Sequence, residues 1–303
     1  MVTPVTLPGA PTIGAVTGGD TAATVSWAAP ASDGGSPVTG YELDVLDGTT
    51  VARTVPGIGA GATSARVTGL ANGTAYRFRV RAVTAVGTGP GSAASDAVTP
   101  ATVPGAPAIA TVVPGGASAT VTWTAPADDG GSPVTGYELQ VLRGATVART
   151  VTGIADDATS ATVPGLANGT SYRLAVRAVN AAGAGEWSAA SDPVTPSTVP
   201  GAPVIGSAQP GAKGGARTAV ARWSAPADNG GSPVTGYRVT ILRMSSAAAN
   251  ATVLNRTTSI LLGPTVRSRS FTLQGDNYRF EVVAVNANGA GAVSARSNNV
   301  VPR

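Results

Sequence analysis

The sequence predicts an all-β chain built of three consecutive two-sheet antiparallel sandwiches, and three observations carry the prediction. The nonapeptide Asp-Gly-Gly-Ser-Pro-Val-Thr-Gly-Tyr occupies residues 33–41, returns unchanged at 129–137, and returns with one altered letter at 229–237. Each copy closes 14 residues after a tryptophan (Trp27, Trp123, Trp223), so one structural unit of about 100 residues is used three times. Apolar and polar residues alternate with period two on both sides of the nonapeptide, the pattern of strands with one buried face. Gly (40) and Pro (23) are abundant, and the 43% hydrophobic fraction is chiefly small and β-branched, which is a turn-rich β composition.

The units are expected to span residues 1–100, 101–196 and 197–303. Each opens on a proline-flanked pentapeptide, residues 7–11, 103–107 and 199–203, whose prolines cannot donate to a ladder and so suit extended backbone beside an edge strand. The joints between units are only a few residues long and contain proline. They should be semi-rigid, with little contact between neighbours. In the first unit Ala23, Val25 and Trp27 point inward, alternating with Thr24 and Ser26. Tyr41, Leu43 and Val45 alternate with Glu42 and Asp44. Tyr76, Phe78, Val80 and Ala82 alternate with Arg77, Arg79 and Arg81. Weaker strands fit residues 12–16, 51–55, 63–67 and 93–98, for a total of seven.

These residues carry a resemblance to the fibronectin type III domain. It rests on the tryptophans of the second strand (Trp27, Trp123, Trp223), on the nonapeptide leading into the third strand, and on a leucine six residues before a tyrosine (Leu70 to Tyr76, Leu166 to Tyr172). The last pair is similar to the family's tyrosine corner, in which the hydroxyl bonds a nearby backbone group. The resemblance implies three seven-stranded immunoglobulin-like (fibronectin type III) β-sandwiches in an elongated array, with Trp27, Trp123, Trp223, Tyr76, Tyr172 and Tyr278 in their cores. The third unit departs from the pattern. It has four extra residues before its tryptophan and seven between Leu242 and Leu273, and its corner is one residue shorter, Leu273 to Tyr278. That shortening puts the corner hydrogen bond in question.

The chain has no Cys and no His, which closes thiolate and imidazole catalysis and the usual zinc and copper ligand sets. No inward-facing carboxylate pair of the glycosidase kind is readable, and no enzyme activity or cofactor is expected. The repeated Gly-Gly is followed by no helix and no Lys-Ser/Thr, so it reads as a turn rather than a phosphate cradle. Asp33, Asp128, Asp129 and Asp228 read as turn caps, being too few per loop for calcium. The sequons at Asn72 and Asn168 read as corner turns, with further matches at Asn250 and Asn255. No stretch is long and apolar enough to cross a bilayer, and no membrane insertion is expected.

Charge separates the third unit: residues 1–100 carry 5 Arg against 6 acids and residues 101–196 carry 4 against 7, whereas residues 197–303 carry 11 Arg and Lys against 3, a net of +8. Arg267, Arg269, Arg256 and Arg243 are therefore candidate docking residues for an anionic partner, an acidic protein surface or a cell-wall polymer. Nucleic acid is not favoured, since Phe271 is the only nearby stacking aromatic. Trp187, beside glycines near the last strand, is a candidate surface contact for sugar or protein, with packing at the domain joint as the plainer account.

The expected function is that of a non-catalytic structural or adhesion protein. A Met1 start without an export signal suits a multi-copy virion component, docked on a larger assembly by its third domain and displayed at the virion surface, with weak binding to surface glycans. The alternative is a spacer or glycan-binding accessory region of a secreted polysaccharide-degrading enzyme.

Overall fold

The computed structural model describes residues 4–303. The first domain has seven strands: β1 (Thr12–Gly19), β2 (Ala22–Ala28), β3 (Val38–Asp47), β4 (Thr50–Gly59), β5 (Ser64–Thr68), β6 (Tyr76–Thr84) and β7 (Gly87–Thr88). They form two antiparallel sheets, β1-β2-β5 and β4-β3-β6-β7, the sandwich that the alternation foretold. The second domain repeats them as β8 (Ala108–Gly115), β9 (Ser118–Thr124), β10 (Val134–Arg143), β11 (Thr146–Ile154), β12 (Ser160–Pro164), β13 (Arg173–Asn180) and β14 (Gly183–Ala184).

In the third domain the first strand is split into β15 (Val204–Ile205) and β16 (Gln209–Pro210) where the first domain carries a bulge, and the four extra residues lie in the hairpin that follows, within 211–217. It continues with β17 (Thr218–Ser224), β18 (Gly236–Met244), β19 (Val253–Thr258), β20 (Ser268–Thr272), β21 (Asn277–Asn286) and β22 (Gly289–Val293).

Each domain owns a separate core. At its centre the tryptophan of the second strand meets the tyrosine that ends the nonapeptide: ring centroids lie 5.3 Å apart for Trp27–Tyr41 and Trp123–Tyr137, and 5.8 Å for Trp223–Tyr237, all tilted. The 14-residue spacing is thus a cross-sheet contact. Such pairs contribute about 1 kcal/mol beyond their buried area. The corner tyrosines close the other end. The Tyr76 hydroxyl accepts from the Ala71 amide and the Tyr172 hydroxyl from the Ala167 amide, each at 3.2 Å. Tyr278 has no such bond among the described residues, as its shortened corner led one to expect.

The last strand differs from the expectation. Residues 93–98 do not form a regular strand; only Gly87–Thr88 do. Serines complete the pairing instead. Ser95 Oγ accepts from the Phe78 amide at 3.0 Å and Ser92 Oγ from the Val80 amide at 3.1 Å, while their own amides donate to the Phe78 and Val80 carbonyls at 2.9 Å. Ser188 and Ser191, then Ser294 and Ser297, repeat the arrangement. A Ser-x-x-Ser spacing therefore lets a kinked segment satisfy the edge of β6, whose amides would otherwise be buried unpaired.

Candidate functional sites at the joints and in the third domain

The second and third copies of the repeated loop lie at the joints, and the first lies against the N-terminal segment. In each copy the residue that opens the nonapeptide accepts a bond from the second glycine: Asp33 Oδ1 from Gly35 N at 2.9 Å, Asp129 Oδ1 from Gly131 N at 2.8 Å, Asn229 Oδ1 from Gly231 N at 2.9 Å. Asp128 and Asp228 cap the first glycine in the same way. The one altered letter is therefore neutral to the turn, because an asparagine amide oxygen accepts as a carboxylate does.

Gly131 (φ +79) approaches the preceding domain so closely that a Cβ on it would stand 2.3 Å from Gly73 N and 2.6 Å from Asn72 C; Gly231 (φ +77) meets Gly169 and Asn168 at the same distances. The joint peptide is bonded on both sides. Gly73 N donates to Pro100 O at 2.9 Å and Thr102 N to Gly130 O at 2.8 Å; Gly169 N donates to Pro196 O and Thr198 N to Gly230 O in the next joint. Asn180 Nδ2 ties Thr102 O to Asp129 O, and Asn286 Nδ2 ties Thr198 O to Asn229 O. The expectation of little contact between neighbours is thus corrected. The Asn-Gly corner turn of one domain seats the Gly-Gly turn of the next, and the same lock recurs at both joints.

The side chains of the corner asparagines are bonded within their own domains. Asn72 Oδ1 accepts from Thr21 N and its amide donates to Asp20, while Asn168 Oδ1 accepts from Ala117 N. The Asn72 side chain is bonded through both its oxygen and its nitrogen, and that of Asn168 through its oxygen.

The four candidate docking arginines lie on two different sheets. On the β18-β19 side, Arg243 Nε pairs with Asp276 at 2.9 Å and Arg256 with Glu281 at 3.1 Å. Glu281, only 7% exposed, is also held by Arg296 at 3.0 Å. Arg267, just before β20, stacks its guanidinium 4.9 Å from the centre of the Tyr237 ring and donates to the Pro264 and Val266 carbonyls. Arg269 projects from β20 and is exposed. Three of the four are engaged inside the domain, and the structure does not gather them into one patch.

Trp187 is half-buried beneath Arg177, whose guanidinium lies 4.4 Å from the ring centre and also forks onto Glu138 through Nε at 2.8 Å and a terminal nitrogen at 2.7 Å. A ring capped by a paired cation has one face committed. Among the described residues no group of three or more acidic side chains is placed to hold a metal. The Tyr137 phenol is held above its ordinary value mainly by burial, with the Asp156 carboxylate adding to the shift.

With this geometry in view, the family model described as the fibronectin type III domain matches residues 9–98, 105–194 and 211–300. Endoglucanase B of Cellulomonas fimi is 39% identical over 206 residues, covering 63% of this chain and 18% of that protein. Chitinase A1 of Niallia circulans is 40% identical over 190 residues, covering 59% and 24%. Myomesin-2 of Homo sapiens is 36% identical over 249 residues, covering 78% and 16%. The chain spans a quarter or less of the length of these relatives.

Proposed function

Since the chain belongs to the fibronectin type III family, we propose that it is a non-catalytic spacer and accessory region of a secreted polysaccharide-degrading protein. The observation that carries the reading is the similarity to stretches of proteins named for cleaving glucan and chitin, at 39–40% identity. The names of these relatives lend the virion expectation no support. The locked joints suit the role. A spacer that holds its neighbours at a fixed distance needs a joint that does not fold back, and a peptide bonded to both domains is such a joint. In this reading the chain supplies no chemical step. Any contact with a partner is made by the surfaces of the domains, with Arg269 the most available of the third domain's candidate arginines.

The test is where the chain occurs and what it is joined to. Antibody to the third domain, applied to culture supernatant and to purified virions, is expected to find it in the supernatant, on a longer polypeptide that also yields glycoside hydrolase peptides. A chain found in virions and not in that polypeptide overturns the proposal.

A further inference from the structure

The third domain differs from its siblings along one open edge of the sandwich. In the first domain Arg53 of β4 donates across this edge to the Thr68 carbonyl of β5; in the second, Arg149 of β11 donates to the Pro164 carbonyl of β12 at 2.7 Å. Register fixes the corresponding positions: Val45 pairs with Arg53, Val141 with Arg149, and Ile241 with Thr257. The acceptor strand corresponds as well. Thr272 pairs with Thr218 as Thr68 pairs with Ala22 and Pro164 with Ser118. Thr257 thus stands where the siblings place a strapping arginine, and its side chain is too short to cross. A cavity of about 280 Å³, lined by both Thr257 and Thr272, lies there.

A second change meets the first at the same place. Tyr278, 5% exposed, lines this cavity, and its hydroxyl has no hydrogen-bond partner among the described residues. In the siblings that hydroxyl is spent on the corner amide. The remaining polar wall comprises the hydroxyls of Thr257 and Thr272, the carboxamide of Gln274, the carboxamide of Asn255, whose Oδ1 already accepts from the Arg256 amide, and the guanidinium of Arg243, whose Nε is committed to Asp276. Carboxamides and hydroxyls each donate and accept, so the wall suits a ligand rich in hydroxyls. Asp276 neutralises the one cation, which disfavours an anion. Ile241 adds an apolar surface of the kind on which a sugar ring rests. The volume is at the small end for ligand sites, enough for one ring and not for a chain of them.

We propose that this cavity, opened by Thr257 in place of the strapping arginine and furnished by the released Tyr278 hydroxyl, binds a single neutral sugar unit. The site belongs to the third domain alone and is independent of the spacer role. A chain found in virions would sink that role and leave this site untouched.

The test is a titration of the full chain followed by amide NMR, with glucose, galactose and N-acetylglucosamine as probes and inorganic phosphate as the anionic comparison. Sugars are taken to about 50 mM, since a shallow site of this size holds one ring no tighter than about 1 mM. At least one sugar is expected to shift the amides of Asn255, Thr257 and Gln274, and phosphate is not. Tyr278→Phe is expected to weaken binding about fivefold, the loss of one hydrogen bond, and Thr257→Arg to abolish it by restoring the strap. Gln274→Ala, an exposed change, should also weaken it and guards against a Thr257→Arg chain that fails to fold. The proposal is overturned if no sugar shifts these amides, if phosphate alone does, or if Gln274→Ala and Tyr278→Phe bind as tightly as the parent.

Discussion

Gly131→Ala is the sharpest probe of the joint, because Gly35→Ala supplies its own control. Both glycines have the same left-handed backbone, φ +79 and +82, and both sit second in the Gly-Gly turn. Alanine in that region costs about 1–2 kcal/mol at either site. Their surroundings differ. A Cβ at residue 35 meets nothing nearer than Val5 Cγ1 at 3.5 Å, an ordinary contact, whereas at residue 131 it would stand 2.3 Å from Gly73 N, which is backbone and cannot swing aside. Gly131→Ala must therefore open the joint and loosen the bond from Gly73 N to Pro100 O, a further cost of about 1 kcal/mol.

Hydrogen exchange at the Gly73 amide reads this directly. The rate should rise about fivefold or more in Gly131→Ala and stay unchanged in Gly35→Ala, and small-angle scattering should report a broader distribution of interdomain distances in the first variant only. Gly231→Ala should do the same at Gly169. Equal exchange at Gly73 in the two variants, with identical scattering, would refute the seated joint.

Other consequences are open to measurement. Tyr76→Phe and Tyr172→Phe should each destabilise their domains by about 1 kcal/mol, while Tyr278→Phe, whose hydroxyl makes no corner bond, should leave chemical denaturation of the third domain unchanged. Ser95→Ala leaves the Phe78 amide with one acceptor fewer in a buried setting and should cost about 1–3 kcal/mol, with the faster exchange confined to β6. Glu281→Gln should cost about 1 kcal/mol in denaturant melts at low salt and less at high salt, since its two arginines are themselves 39–55% exposed. The raised phenol of Tyr137 means that the unfolded chain loses this proton first as pH climbs. Stability of the second domain should hold below about pH 10 and fall above it, and Tyr137→Phe should flatten that fall.

The fold was legible because the core writes itself in short-range patterns. Alternation placed Trp27, Tyr41 and Phe78 inward, and the repeat multiplied each inference by three. The last strand was misjudged because residues 93–98 were fitted as a weaker strand to complete the sandwich, while the amides of β6 are satisfied by side-chain oxygens. The signal was present as Ser92-x-x-Ser95 and its two copies, but a hydroxyl standing in for a ladder carbonyl has no periodic signature. The joint was missed for another reason. Asn72-Gly73 and Gly131 were each readable as turns, and nothing local says that two turns 58 residues apart touch. At the edge of the third domain, the exchange of Arg53 and Arg149 for Thr257 is hidden by the inserted residues and becomes visible only once strand register is known.

Register also changes the meaning of the third domain's charge. In the first domain a buried carboxylate sits on β3: Asp44 is paired with Arg81 at 2.6 Å and accepts from Thr54, and the residue opposite it on β6 is Arg79. In the third domain the corresponding pair is Thr240 and Glu281, so the carboxylate has crossed from the third strand to the sixth. A buried acid needs cationic or hydrogen-bonded partners wherever it sits. At its new position those partners come from the flanking segments, Arg256 of β19 on one side and Arg296, after β22, on the other. One acid held by two arginines adds a net positive charge without adding a binding face. Part of the +8 that singles out this domain is therefore internal bookkeeping of the sandwich, and the charge left to meet a partner is smaller and more dispersed than the count implies. The same rearrangement leaves Arg243 turned to Asp276 beside the cavity. What distinguishes the third domain is thus less its basic surface than the edge where its strap is missing.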